Sequence, residues 1–304
     1  MTERQKTIKQ AISVSGTGLH TGQFGSITFN PAPENHGIKF RRIDVAGQPV
    51  IDAIVDNVIS TDRGTTLGVN GTQIFTIEHV LAALTGLGID NVLIDMDMDE
   101  MPIMDGSSRF FIEALEKAGT QVQDAEKKIL VIQEEVTFEI PDKKIKVTIE
   151  PAEKLSFSVE IDYETKVLGK QFATLTDISN FKNEIAPCRT FVFLHELEYL
   201  LNNNLVKGGD ISNAIVFVNK VIEQEELDRL AKLFNKPSVE VKTKGILNNI
   251  DLHFENEPAR HKLLDLIGDL TLLGINLRGH VKAQRPGHFT NTQFAKLIHQ
   301  KFLS

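Results

Sequence analysis

At 304 residues the chain is long enough for two ordinary domains and a substantial core. A formal net charge of −8 weighs against a nucleic-acid or anionic-membrane binder, and one cysteine, Cys188, excludes an internal disulfide and suits a reducing compartment. The charged N-terminus has no apolar signal core and no stretch suits a membrane span, so a cytoplasmic protein without stable membrane insertion is expected.

Thr7–Val14, Gly25–Asn30 and Gly37–Arg42 read as strands, with His20 in the loop between the first two. A small added sheet is expected over about 48–75, with Asn70-Gly71 as a hairpin signal. Phe75–Gly88 has a helical period. Val80, Leu84 and Leu87 form an apolar stripe, and His79, Ala83 and Gly86 share a face of small residues. Glu78 is either a solvated first-turn residue favoured by the helix dipole or a base beside His79.

The strand Ile89–Asp95 leads into an acidic run, Asp95 to Asp99. A helix–loop–helix calcium loop wants Gly sixth and Glu twelfth, but those places hold Glu100 and Gly106, so the run reads as a strand end with solvated carboxylates. A helix Ser107–Ala118 follows, with Asp105 as a candidate cap. Gly119–Lys128 is polar without apolar period and reads as a linker. These boundaries give a first α+β domain over 1–124 and a second over 128–304.

The second half also opens on strands, Ile129–Ile140, Lys144–Glu150 and Leu155–Tyr163, followed by a short helix near Thr176–Ile185. Residues 188–218 read as strand, helix, strand, with high apolar content in Phe191, Leu194, Leu197, Leu201, Val206 and Ile211. A charged surface excursion is expected over about 220–252. Pro258–Leu270 then reads as a helix: Leu263, Leu266, Ile267 and Leu270 keep the apolar period, and His261, Asp265 and Asp269 follow one another at four-residue steps on another face. A strand Asn276–Ala283 and a last helix from about Thr290 to Phe302 end the chain.

The two His-bearing helices resemble each other. Each His is followed by Gly seven residues on (His79/Gly86, His261/Gly268), and each helix runs into Leu-Gly-Ile, one turn later in the second copy. Two related halves with a site between them are expected. An imidazole and a carboxylate one turn apart can grip a metal ion, and His79 is a candidate third ligand. On spacing alone, ordinary amphipathic helices with incidental histidines account for the pattern equally well.

Longer motifs carry a resemblance. S-G-T-G-L-H-T-G (15–22), E-H-V-L-A-A-L-T-G-L-G-I-D-N (78–91), P-I-M-D-G-S-S (102–108), C-R-T-F (188–191), R-H-K-L-L-D-L-I-G-D-L (260–270) and G-H-F-T-N (287–291) stand in the order found in the zinc-dependent UDP-3-O-acyl-N-acetylglucosamine deacetylases. The chain resembles that family from its N-terminus to about Asn291, least well over Lys220–Leu252. The resemblance implies an α+β fold of two similar layered α/β-sandwich domains, each with a small insertion, and an active site at their junction. It implies Zn²⁺ on His79, His261 and Asp265, which together leave a position open for water. Glu78 would be the base and His288 the cationic acid, oriented by Asp269. Lys262 would face substrate and Thr190 the oxyanion. Phe191, Leu197, Val206 and Ile211 would shelter an acyl chain, and Tyr163 would lie against a nucleotide.

The implied partner is a UDP-sugar with a fatty acyl chain. A fused or associated domain beyond residue 304 is left open. Two other readings stand beside this one: a zinc amidohydrolase of another amide or peptide, and a non-catalytic metal-containing binding protein. A structural zinc site is closed and Cys-rich, so one Cys and an acidic ligand weigh against the second. Fe²⁺ could use the same ligands.

Overall fold

The computed structural model describes residues 3–202, 207–208, 213–219, 222–233, 238–242, 245–247 and 251–303. Its fold is α+β, built on two five-stranded sheets of the same design. The first runs in the order Ile12–Thr17, Phe24–Pro31, Val92–Met96, Ile38–Arg42, Val50–Asp52. The second runs Val136–Ile140, Ile145–Glu150, His280–Gln284, Ser156–Asp162, Lys170–Leu175. In each, the strand of the sheet that comes last in the chain enters the middle, antiparallel to one neighbour and parallel to the other. Burial alternates along these strands: Ile27 and Phe29, or Phe157, Val159 and Ile161, point into the core while their neighbours point out. The duplication suspected from two helices therefore extends to the sheets.

Seven helices accompany the sheets among the described residues: α1 (Glu78–Leu87), α2 (Arg109–Ala118), α3 (Phe181–Glu184), α4 (Leu194–Asn202), α5 (Gln224–Leu233), α6 (Glu257–Thr271) and α7 (His288–Phe302). Helix α1 ends at Gly88, whose φ of 65° supplies the left-handed turn that stops it. Helix α6 carries Pro258 in its first turn, where no N–H is missed. These two helices pack on each other at the centre of the molecule. Small residues set their separation. A methyl group on Gly268 would lie 2.1 Å from the Glu78 carbonyl oxygen, so only glycine lets the backbones come this close. Beyond the glycine, Thr85 and Thr271 share a hydroxyl hydrogen bond of 2.6 Å, and Asn276 donates to Asp90 at 2.9 Å. Both pairs join residues 186 apart, the offset that separates the two Leu-Gly-Ile stretches.

The insertion in the first half is a three-stranded sheet, Val58–Ser60, Thr66–Val69 and Thr72–Ile74. Its tight turn is Asn70-Gly71, both with positive φ. In the second half, Phe191–Phe193 pairs parallel to Ile215–Phe217, with α4 following the first strand. The excursion does not stay on the surface. Its strand Ile246–Leu247 pairs with Ile215–Phe217, and Leu230, Val239 and Leu247 share an apolar cluster with Leu194, Leu197 and Val216.

Three more expectations change. The supposed linker is a strand, Thr120–Glu126, antiparallel to Arg4–Ile8. It buries neither face (Val122 is exposed), so apolar period could not reveal it. The acidic run is not uniformly solvated. Asp95 accepts a bidentate bond from Arg41 and Asp97 accepts the Ser26 N–H, and Glu100, just after the run, is fully buried. Asp105 does not cap α2. Its carboxylate takes the Ser107 N–H and hydroxyl, and the helix starts after Ser108.

Among the described residues no helix is long and apolar enough to cross a membrane. The α1–α6 contact gives a first prediction. Gly268→Ala forces the two backbones apart and lowers stability by about 1–3 kcal/mol, the usual cost of overpacking. A lowered thermal unfolding midpoint checks this, and an unchanged midpoint refutes the contact.

Candidate metal centre

The close approach of α1 and α6 brings three buried donors together. His79 stands in the first turn of α1, and His261 and Asp265 stand one turn apart on α6. Asp265 Oδ1 lies 3.7 Å from His79 Nε2 and 3.4 Å from His261 Nε2. The imidazoles meet edge to face, with centroids 5.1 Å apart. His261 donates through Nδ1 to the Cys188 carbonyl at 3.1 Å, which leaves its Nε2 lone pair for a ligand.

Asp265 Oδ1 is buried and has no hydrogen-bond partner among the described residues. A buried carboxylate oxygen is not normally left so. Tetrahedral donors at ~2.0–2.1 Å from a metal sit about 3.3 Å apart, so the observed spacings fit one ion. The charge states fit too. Burial, then the neighbouring His261, pushes His79 down to about 3, and burial lowers His261. Both are then neutral near pH 7, the form that binds metals. Burial alone would raise the Asp265 carboxyl, but the surrounding His261, Lys262, His288 and His79 hold it well below the usual range. The other Asp265 oxygen accepts from Lys262 Nζ at 2.8 Å.

Beside the trio lie a second carboxylate and a histidine. Glu78 is 3 % exposed, which removes the solvated reading. Burial raises its pKa to about 7, and the nearby Asp269 and Asp265 add to this against the pull of His288. Its Oε2 accepts the Thr65 N–H at 3.0 Å, and its Oε1 is 3.8 Å from His288 Nε2. His288 begins α7 and reaches Asp269 through Nδ1 at 3.0 Å. Burial works against its charge, but Asp269 and Glu78 raise it to about 9. Asp269 is itself fixed, taking the Thr65 hydroxyl at 2.6 Å and the Asn291 amide at 2.9 Å.

These groups face one cavity of about 710 Å³. Of the residues named from sequence, Glu78, His79, Thr190, His261, Lys262, Asp265 and His288 line it, as do Tyr163, Phe191 and Leu197. Asp269 is not on its wall and touches it only through His288. The Tyr163 and Phe191 rings meet edge to face at 5.4 Å, and Lys262 Nζ lies 5.6 Å from the centre of the Phe191 ring. Val206 and Ile211 lie outside the described residues. Sequence reasoning missed Thr65 and Asn291. Asn291 follows His288 by three positions on one helix, a spacing that could have exposed it. Thr65 gave no signal, because only the folding of the inserted sheet over Glu78 brings it there.

A family model described as UDP-3-O-acyl N-acetylglycosamine deacetylase (LpxC) matches residues 5–236 and 231–300. The chain belongs to this family. It is 45 % identical over 298 residues to the bifunctional enzyme LpxC/FabZ of Bacteroides thetaiotaomicron, covering 98 % of this chain and 65 % of that one. A second bifunctional LpxC/FabZ, from Chlorobaculum tepidum, is 45 % identical over 97 % of this chain and 64 % of its own. The UDP-3-O-acyl-N-acetylglucosamine deacetylase of Saccharophagus degradans is 38 % identical over 98 % of this chain and 91 % of that protein. The chain thus spans about two thirds of the length of its bifunctional relatives.

One more buried carboxylate stands behind the cavity wall in this family member, bonded to His20 and Thr76, which line it. Glu100 accepts the His20 and Thr21 N–H groups, the Thr21 and Thr76 hydroxyls, and His20 Nδ1 at 2.7 Å. Burial would raise its pKa, but the His20 ring and these backbone donors hold it down at about 2. A carboxyl lowered on folding stabilises the fold above its unfolded value, near 4.5, and that contribution fades as pH falls toward 2. Its size is about 3 kcal/mol. In acid unfolding, Glu100→Gln is therefore expected to flatten the loss of stability between pH 4.5 and 2 relative to the wild type. Parallel curves would show that the carboxylate is not held in this way.

Proposed function

We propose that this chain hydrolyses the N-acetyl group of UDP-3-O-acyl-N-acetylglucosamine, releasing acetate in the course of lipid A synthesis, with Zn²⁺ as its metal. One observation carries the reading: His79, His261 and Asp265 form a three-donor trio, open to a cavity that also holds a buried carboxylate and an oriented histidine. Three protein donors, two nitrogens and an oxygen, are the composition of a catalytic zinc site rather than a closed structural one. Membership of the family, and the activity printed for the relative from Saccharophagus degradans, support the substrate.

A zinc ion bound there supplies Lewis acidity toward an amide carbonyl and makes a water more acidic. The side chains supply the rest. Glu78, adjacent to a donor and held by the Thr65 N–H, accepts the water's proton as its oxygen attacks the acetyl carbon. The Thr190 hydroxyl and the Lys262 ammonium face the negative charge that develops on the carbonyl oxygen. His288, kept cationic by Asp269, gives a proton to the departing amine, so the C–N bond breaks to free amine and acetate. Phe191 and Leu197 offer the acyl chain an apolar wall, each buried CH₂ contributing about 0.8 kcal/mol. Tyr163 lies beside them, where a nucleotide could rest on its ring. The cytoplasm is the proposed site of action, in keeping with a single buried thiol.

Acetate release and metal content, measured on the same preparations, test this. Glu78→Gln is expected to slow release by about 10²–10⁴-fold while metal stays stoichiometric. His79→Ala is expected to lose both. Loss of metal from Glu78→Gln would make that carboxylate a structural support. A metal-loaded wild type that releases no acetate would point to another amide substrate.

A further inference from the structure

The three residues Cys188, Arg189 and Thr190 carry two groups that the site uses. The Cys188 carbonyl receives His261 Nδ1, and Thr190 lines the cavity. Yet this stretch belongs to no helix or strand. The Ser108 N–H on Ala186 O ties the chain just before it, and the Thr190 N–H on Gly106 O ties its end. Its middle is tied by Arg189. That guanidinium is 6 % exposed and grips the fully buried Glu257, Nε to Oε1 at 2.9 Å and Nη2 to Oε2 at 3.2 Å. The Arg189 N–H also donates to Glu257 Oε1, at 3.0 Å.

Glu257 is the first residue of α6, one turn before His261. The pair reaches further, to the chain returning from the excursion. Arg189 Nη2 donates to the Asp251 carbonyl at 2.5 Å, and the His253 N–H donates to Glu257 Oε2 at 2.7 Å. All the bonds run between one buried guanidinium, one buried carboxylate and the backbone of two separate segments. Neither charged group reaches the cavity.

A buried ion pair is a poor device for stability alone, because apolar residues of like volume usually serve as well. Its distinctive ability is geometric, since a planar guanidinium fixes direction as well as distance. We propose that Arg189 and Glu257 are positioning residues for the metal centre. They hold the Cys188 carbonyl on His261 and Thr190 at the cavity, and they make both depend on how the 220–252 excursion re-enters the fold. This rests on the metal-dependent reading above.

The test uses the full chain as wild type, Glu257→Gln, and the double variant Arg189→Met with Glu257→Met. The double variant leaves no unpaired buried charge, so it keeps its fold where the single one fails. Zinc affinity is read by competition with a chelating dye, beside the unfolding midpoint and the kinetics of acetate release. Carbonyl and carboxylate groups that orient a ligand imidazole are typically worth 10–100-fold in metal affinity, so each variant is expected to bind zinc about 10–100-fold more weakly. The accompanying loss should fall on kcat with KM little changed, because the cavity walls remain.

Zinc bound by the double variant as tightly as by the wild type would overturn the proposal, whatever its midpoint. Failure of both variants to fold would overturn it too, by making the pair a requirement of the fold. A wild type that binds no zinc would instead overturn the metal-dependent reading itself.

Discussion

The absence of one side chain, at Gly268, is the constraint on which the rest depends. Because α6 presents bare backbone there, α1 can rest its Glu78 carbonyl against it. That contact lies on the turns that carry His79 and Asp265. Any residue with a Cβ would separate the helices where the donor spacing is set. His79 on α1 then meets the pair on α6, with Asp265 Oδ1 3.7 Å from His79 Nε2 and 3.4 Å from His261 Nε2. Rigid helices hold such a geometry more narrowly than loops do.

The second feature is how charge is balanced among side chains that are almost wholly buried. Glu78, Asp265 and Asp269 are buried within one turn or so of each other, with Lys262 and His288 as their counterweights. Each carboxylate is treated differently. Both oxygens of Asp269 are occupied by neutral donors and His288, so it is a fixture. Asp265 has one oxygen on Lys262 and one free, so it can act as a ligand. Glu78 has a single backbone donor and sits near the midpoint of its own titration, so it can exchange a proton. Residues of nearly the same chemistry thus take three roles through their surroundings.

The two helices were legible in the sequence because each has a wide buried face and an apolar period to match. Their shared His–Gly spacing hinted at the repeat that the sheets complete. The strand Thr120–Glu126 was illegible because its pairing is all backbone and neither of its faces is buried. Glu100 was hidden for another reason: the donors that make its burial tolerable come largely from residues some 80 positions away. Thr65 and the Arg189–Glu257 pair were hidden in the same way, their partners being set by tertiary structure. The resemblance supplied the roles of Glu78, Thr190, Lys262, Asp269 and His288, which residue type and spacing alone did not. What the structure adds is their placement around a single cavity, with Asp269 set back behind His288.

The repeat also shows what the two halves do not share. The spacing that matches His79 to His261 and Gly86 to Gly268 matches Asp265 to Ala83, which is completely buried. A strictly symmetric pair of helices would bring two imidazoles and two carboxylates to the junction. Four donors saturate a tetrahedral ion, and a saturated ion can brace a fold but has no vacancy for a reactant. Alanine at position 83 offers no such donor, and the trio stays at three among the described residues. In the metal-dependent reading proposed above, that departure from internal symmetry is what leaves a reactant its place and keeps the junction from being an inert rivet between two copies.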